Sequence, residues 1–245
     1  MGFCSKTLLA IALLYNSSLA QMTKSVWEVK VPFFLAKNTE AVLEYDIDKG
    51  RFDAHANIEF SFAGKVASFF STGLTGSLDV KVHSSDVWYN ELYQEWRREY
   101  AAFKASDTVL KVIYHTHKGS KSYELPANLW TDAGQAFIQM MKEIKEDEHK
   151  IGDRVPYKIH SSGDTISVFV DFVASDEEGY DFCSSIRAQN GKDLFGMTER
   201  IDVFFKDKEP RYVKADVFFM SVKGRLKYLS IDDRIVYKVE SKPNP

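Results

Sequence analysis

The stretch that decides the fold is Ala41-Val42-Leu43-Glu44-Tyr45-Asp46-Ile47, followed by Asp48-Lys49-Gly50 and then by Phe52-Asp53-Ala54-His55-Ala56-Asn57-Ile58-Glu59-Phe60-Ser61-Phe62. Both flanks alternate apolar and polar side chains with a period of two, so each presents one face to a core and one to water. Asp-Lys-Gly between them supplies residues that tolerate a tight reversal. The stretch therefore predicts a β-hairpin.

The same alternation extends outward from this hairpin. Val26–Val31 precedes it, and after it come residues 64–83, with Gly73 and Gly76 marking a bend before Ser77–Val82. Val109–His117 follows, turned by Lys118-Gly119-Ser120 into Ser122–Leu125. A second series comprises Val155–Ile159, Ile166–Val173, Ile186–Gln189, Arg200–Lys206, Tyr212–Val222, Leu226–Ser230 and Ile235–Val239. Between the two series lies one helical pattern. Thr131 or Asp132 can cap it, and Ala133, Ala136, Phe137, Met140, Met141 and Ile144 recur on one face, opposite Lys142, Glu143 and Lys145–Glu148. Its expected end is near Lys150–Gly152, which places His149 in the last turn against the helix dipole. Residues 86–103 admit two readings. Trp88, Leu92, Trp96 and Tyr100 fall at helical intervals, yet Trp88, Tyr89, Tyr93, Trp96 and Tyr100 are also residues that strands favour.

These patterns predict a mainly β protein: a curved antiparallel sheet, open and barrel-like or sandwich-like, with one principal α-helix packed on it. Residues 21–241 form one domain in this reading, since no linker-like composition and no internal repeat interrupts them, and residues 242–245 form a disordered tail.

Residues 1–20 have the organisation of a secretory signal peptide. Lys6 precedes the apolar run Leu8–Tyr15, and Ser18 and Ala20 are the small residues a signal peptidase needs before a cut at Gln21. A membrane-spanning helix needs about 20 apolar residues, roughly twice this run, and no longer apolar run follows in the chain. Cleavage would place the protein in the periplasm or outside the cell and leave it without a transmembrane helix. It would also remove Cys4, leaving Cys183 with no partner for an internal disulfide.

Composition narrows function mainly by exclusion. The 245 residues are 44% hydrophobic and carry 32 Lys and Arg against 35 Asp and Glu, which is no footprint for a nucleic acid. A chain of this size completes a hydrophobic core without a metal or cofactor, and none is expected. His115 and His117 share a strand face but have no third ligand near in sequence, and Asp176-Glu177-Glu178-Gly179 lacks the spacing of a calcium loop. Cys183 has no neighbouring base or cation in Tyr180–Ser185, so a buried, inert thiol is expected. No phosphate loop, nucleophile elbow or zinc-protease motif occurs, so no catalytic residue is assigned.

With these elements laid out, the chain resembles an exported bacterial family, domain of unknown function 3108. The resemblance spans roughly residues 40–230. It rests on a helix opened by Asp132, on Ile151-Gly152-Asp153 before the strand Val155–Ile159, on Val203-Phe204-Phe205-Lys206-Asp207-Lys208-Glu209-Pro210-Arg211, and on Gly224 followed by Leu229. The chain departs from that pattern at Gln135 and Met140–Lys142, and in the order Pro210-Arg211. The resemblance implies export, an antiparallel fold and strand rather than helix at 86–103, and it brings no activity.

The leading expectation is a non-catalytic envelope protein that binds an apolar ligand, a lipid or acyl chain, or docks an envelope partner. The chain has 4 Trp, 12 Tyr and 18 Phe, and adjacent pairs such as Phe69-Phe70 and Phe204-Phe205 put one ring on each side of a strand. Phe69, Phe70, Phe137, Met140 and Met141 are the expected ligand-lining residues. The alternatives are an enzyme acting on cell-wall or surface carbohydrate, marked by clustered carboxylates of perturbed pKa, and a structural assembly factor without a ligand. N-terminal sequencing of the protein recovered from the envelope tests the compartment: the mature chain is expected to begin at Gln21, and a chain still beginning at Met1 would refute export.

Overall fold

The computed structural model describes residues 21–30, 36–60, 77–85, 88–93, 98–116, 119–127, 132–161, 164–189, 198–217 and 220–239. The expected signal segment and tail, Phe69, Phe70 and His117 lie outside them. The first series of strands is β1 (Met22–Lys30), β2 (Ala36–Asp46), β3 (Arg51–Phe60), β4 (Ser77–Ser84), β5 (Trp88–Tyr93), β6 (Arg98–Lys104), β7 (Val109–Thr116) and β8 (Gly119–Pro126). Helix α1 (Ala133–Lys145) follows, and then β9 (Arg154–Ser161), β10 (Asp164–Ala174), β11 (Phe182–Ala188), β12 (Thr198–Lys206), β13 (Glu209–Val217), β14 (Met220–Ile231) and β15 (Arg234–Lys238).

All of these strands belong to one antiparallel sheet. Its order is β8-β7-β6-β5-β4-β3-β2-β1-β14-β13-β12-β11-β10-β9, with β15 paired to β14. The chain meanders outward from β1 to β8, crosses through α1 to β9, and meanders back to β14. There β1 pairs with β14, Thr23 opposite Ile231 and Lys30 opposite Lys223, and joins the two halves. The expected mainly β, antiparallel, barrel-like fold with one principal helix is the fold found.

The helix lies against strands from both halves, β3 and β4 on one side and β9 on the other. Eight strand spacings separate β3 from β9 in the sheet order, about 38 Å if the sheet were flat, whereas a helix with its side chains is about 10–12 Å across. The sheet therefore curls around α1. Met140, Met141 and Ile144 pack with Tyr157, Val168, Val170, Phe172, Val203 and Phe205, while Ile138 packs with Tyr45 and Phe52. Phe137 bridges to the first half, its ring 5.2 Å from those of both Tyr45 and Phe52.

Polar contacts fix both ends of the helix. At its start, the Asp132 carboxylate accepts from the backbone N–H of Gln135 at 2.9 Å. The Gln135 side-chain amide donates to the Gly50 carbonyl at 2.7 Å and to Ser84 Oγ at 3.0 Å, tying α1 to the β2–β3 turn and the end of β4. At its other end, Lys208 Nζ donates to the Lys145 carbonyl at 3.1 Å, and Lys145 Nζ pairs with Glu209 at 3.2 Å. Glu143 accepts from Tyr157 and Gln139, and His149 Nε2 lies 2.8 Å from it. Burial raises the Glu143 pKa, but these hydrogen bonds outweigh it and lower the pKa overall.

One open reading is decided, in favour of the strands that the resemblance implies, and two local expectations are corrected. Residues 88–93 and 98–104 are strands, with Tyr89 opposite Ala102 and Glu91 opposite Tyr100. An i, i+4, i+8 spacing is also a multiple of two, so it fits a strand as well as a helix. The run Tyr212–Val222 is divided between β13, which ends at Val217, and β14, which begins at Met220. Helix α1 stops at Lys145, so His149 lies beyond it, its ring stacked 4.6 Å from that of Phe172.

Gly134 makes the closest approach of α1 to the sheet. A Cβ at this position would stand 2.4 Å from Ser84 Cβ and 3.0 Å from Phe52 Cδ1. Replacing Gly with Ala inside a helix ordinarily gains about 1 kcal/mol, but forcing a methyl group into a packed contact costs about 1–3 kcal/mol. Gly134→Ala is therefore expected to lower the urea-unfolding midpoint, and a raised midpoint would show that the helix does not rest on Ser84.

Candidate functional site

The packing against α1 determines which side chains of β10, β11 and β12 face outward. Val168, Val170 and Phe172 of β10 point to the helix, so Phe169, Asp171 and Val173 point away from it. Register carries that face across the neighbouring strands. Asp171 pairs with Ser185 and Ser185 with Asp202, making one row; Phe169 pairs with Arg187 and Arg187 with Arg200, making the next. On the far side of the central row, Val173 pairs with Cys183 and Cys183 with Phe204.

These rows enclose a hollow of about 230 Å³. Its lining comprises Asp171, Ser185 and Asp202 in the centre, Arg187 and Arg200 at one end, and Val173, Ala174 and Asp176 at the other. Two of its carboxylates are held by guanidinium groups. Arg154 Nε and Nη2 donate to the two oxygens of Asp171 at 2.5 and 3.0 Å, and Arg200 Nε and Nη2 both reach Asp202 Oδ2, at 2.7 and 2.5 Å. The fork from Arg154 holds the Asp171 carboxyl below the usual carboxylate range, with a further contribution from Arg187.

Other groups of the hollow are unpaired. Ser185 is 4% exposed, and its Oγ has no hydrogen-bond partner. A buried polar group without a partner costs about 1–3 kcal/mol, so the Ser185 hydroxyl retains hydrogen-bonding capacity for a group entering the hollow. Arg187 is exposed and, among the described residues, makes no hydrogen bond or ion pair; Asp176, on the β10–β11 connection, makes none either.

The hollow borders a covered apolar patch on the same face. Phe204 is 2% exposed, packed with Cys183 and Tyr212 and capped by Tyr180, whose ring lies 5.7 Å from its own. Its neighbour Phe205 is fully buried on the inner side, so the pair does place one ring on each face. Burial first, and then the Asp202 and Asp176 charges, push the Cys183 thiol up to about 12. It stays protonated at physiological pH and is no nucleophile.

Of the side chains expected to line a ligand, Phe69 and Phe70 lie outside the described residues, and Phe137, Met140 and Met141 lie apart from this hollow. Met141 is fully buried and Met140 is 5% exposed, both in the core between α1 and the second half of the sheet, and Phe137 is partly buried between the helix and β2–β3. His115, on β7, has Nδ1 2.5 Å from Ser120 Oγ. Among the described residues no group of three or more His, Cys, Asp or Glu converges as metal ligands would, and no helix is long and apolar enough to cross a membrane.

Sequence reading passed over Asp171, Ser185, Arg187, Arg200 and Asp202. Alternation along β10 does place Asp171 on the side opposite Val170 and Phe172, and that was the available signal. Its meeting with Ser185 and Asp202 depends on the register of three strands, which no local pattern carries.

No family model matches the sequence, and no curated protein matches it. Among solved structures, the chain is similar to a β-barrel-like protein of domain of unknown function 1849 from Brucella abortus. The TM-score is 0.54 at 10% identity, over 86% of this chain and 98% of that one. A protein of the domain of unknown function 1329 family from Desulfovibrio piger aligns over 94% of this chain and 92% of its own, at 10% identity and a TM-score of 0.19, too low to mark a common fold. At such identity the first likeness speaks for the fold alone.

Proposed function

We propose that this chain is an exported, non-catalytic binding protein of the bacterial envelope, akin to the family it resembles in sequence, and that the hollow on β10–β12 is its ligand site. The observation that carries this reading is the buried Ser185 hydroxyl, without a hydrogen-bond partner, in the lining of an open hollow that also holds Arg187 and Asp176. An unspent hydroxyl in a concavity is what a small polar ligand can use. The signal-like residues 1–20 support export.

Two features favour binding over catalysis. A carbohydrate-cleaving site needs one carboxyl raised in pKa to protonate the leaving group, whereas Asp171 is shifted the other way and stays ionised. Cys183, the free thiol of the described chain, is protonated and buried. An apolar ligand in the concave face would have to part Met140, Met141 and Phe137 from the core they complete, while the outer hollow is already open. A second reading, docking of an envelope partner, is favoured by Ile235 and Val236 of β15, which are 59% and 56% exposed.

Native mass spectrometry of protein recovered from its own envelope tests the reading, with Val173→Trp as the comparison because Val173 is a rim residue 40% exposed to solvent. A small polar molecule retained by the wild-type chain and lost from Val173→Trp is the expected result. A lipid retained equally by both proteins would move the site to the apolar interior, and a retained molecule that the protein converts to product would overturn the non-catalytic reading.

A further inference from the structure

On the reading that this hollow binds a ligand, the balance of its charges specifies the ligand's class. Three carboxylates, Asp171, Asp176 and Asp202, stand against three guanidinium groups, Arg187 and Arg200 in the lining and Arg154 on Asp171. The central charges are also matched locally. Arg154 forks onto Asp171, Arg187 adds its attraction to the same carboxylate, and Arg200 holds Asp202. An anion entering here would compete with Asp171 for its cations, and a cation would compete with Arg154 or Arg200 for their carboxylates. A neutral molecule leaves every pair in place.

The hydrogen-bonding capacity of the hollow, in contrast, is not used up. Both Arg200 nitrogens that reach Asp202 go to Oδ2, which leaves Oδ1 as an acceptor. The Ser185 hydroxyl, 4% exposed and without a partner, can donate one hydrogen bond and accept two. Register sets Ser185 between Asp171 and Asp202 on strands about 4.8 Å apart, so carboxylate, hydroxyl and carboxylate follow one another across the sheet. Arg187 brings N–H donors from the next row. A hydroxyl group both donates and accepts, so a molecule carrying several of them answers carboxylate, hydroxyl and guanidinium at once. Val173 and Ala174 add apolar lining that suits the C–H groups of such a molecule. At about 230 Å³ the hollow lies below the range of about 300–1,000 Å³ that takes drug-sized ligands, so it fits one sugar ring or a short polyol rather than a chain of sugars.

We propose that the hollow binds a neutral polyhydroxylated molecule, a monosaccharide or a linear polyol, whose hydroxyls donate to Asp171 and Asp202 and accept from Ser185 and Arg187. The matched ion pairs thereby serve as hydrogen-bonding groups for hydroxyls, and they disfavour a ligand with a charge of its own.

Ligand-observed NMR titration of the protein recovered from its envelope and dialysed tests this with D-glucose, D-galactose, D-mannose and D-glucitol, and with D-glucuronate and D-glucosamine as acidic and amino counterparts. At least one neutral probe is expected to bind saturably, more tightly than either charged one, and with an affinity that does not fall as salt is raised. Val173→Trp is expected to abolish that binding. Ser185→Ala is expected to weaken it roughly fivefold, the scale of one hydrogen bond, while the thermal midpoint does not fall, because the hydroxyl removed has no partner within the protein. Tighter, salt-sensitive binding of glucuronate or glucosamine, lost in Val173→Trp, would overturn the neutral-ligand assignment while leaving the hollow a binding site. Binding untouched by Val173→Trp, or no saturable binding of any probe, would overturn both.

Discussion

The fold depends on α1 being held between the two halves of one long sheet. Met141 and Phe205 are fully buried where the helix meets the second half, and Ile138 joins Tyr45 and Phe52 where it meets the first. A sheet that must reach both flanks of one helix has to curl, and its natural twist is in the right sense to be continued into a barrel-like form. The chain makes that contact possible with Gly134, which lets backbone approach Ser84 more closely than any side chain would allow, and secures it with Gln135 and Lys208 at the two ends. The crossover that carries the chain from β8 to β9 is thus also the core around which both meanders close.

That same contact orders the outer surface. Once Val170, Phe172, Val203 and Phe205 are committed to the helix, the pleat leaves Asp171 and Asp202 no other direction than outward, with Ser185 between them. A slip of one residue in β11 would send Cys183 and Ser185 inward and break both the core and the hollow. Along that outer face the protein treats adjoining rows differently. Cys183, Phe204 and Tyr212 pack with Tyr180, whereas Ser185 belongs to an open hollow lined by charged side chains. The covered patch is structural, and the open one has the unspent hydrogen-bonding capacity that recognition uses.

Much of the architecture was legible in the sequence because it rests on short-range alternation. The hairpin of β2 and β3, the strand β7 and the apolar face of α1 through Met140, Met141 and Ile144 all express periods visible within ten residues. Residues 86–103 admit both readings because a four-residue spacing serves both periods. The break between β13 and β14 carries no Gly or Pro to announce it, as Val217-Phe218-Phe219-Met220 reads as continuous strand. The hollow was not legible at all. It unites residues from three strands through register, and the length of the connections between them hides which positions meet. The ligand-lining expectation for Met140 and Met141 followed from their adaptability in a groove, and that same adaptability lets them fill the space between helix and sheet.

Hydrogen exchange of α1 measures the central claim most directly, because a helix that holds the sheet closed cannot open without the sheet. The account predicts that the amides of Ala136–Ile144 exchange as slowly as those of β12 and β13, near the rate set by global unfolding. Rapid exchange across α1 while β12 and β13 remain protected would contradict it, showing a helix that rests on the sheet without organising it.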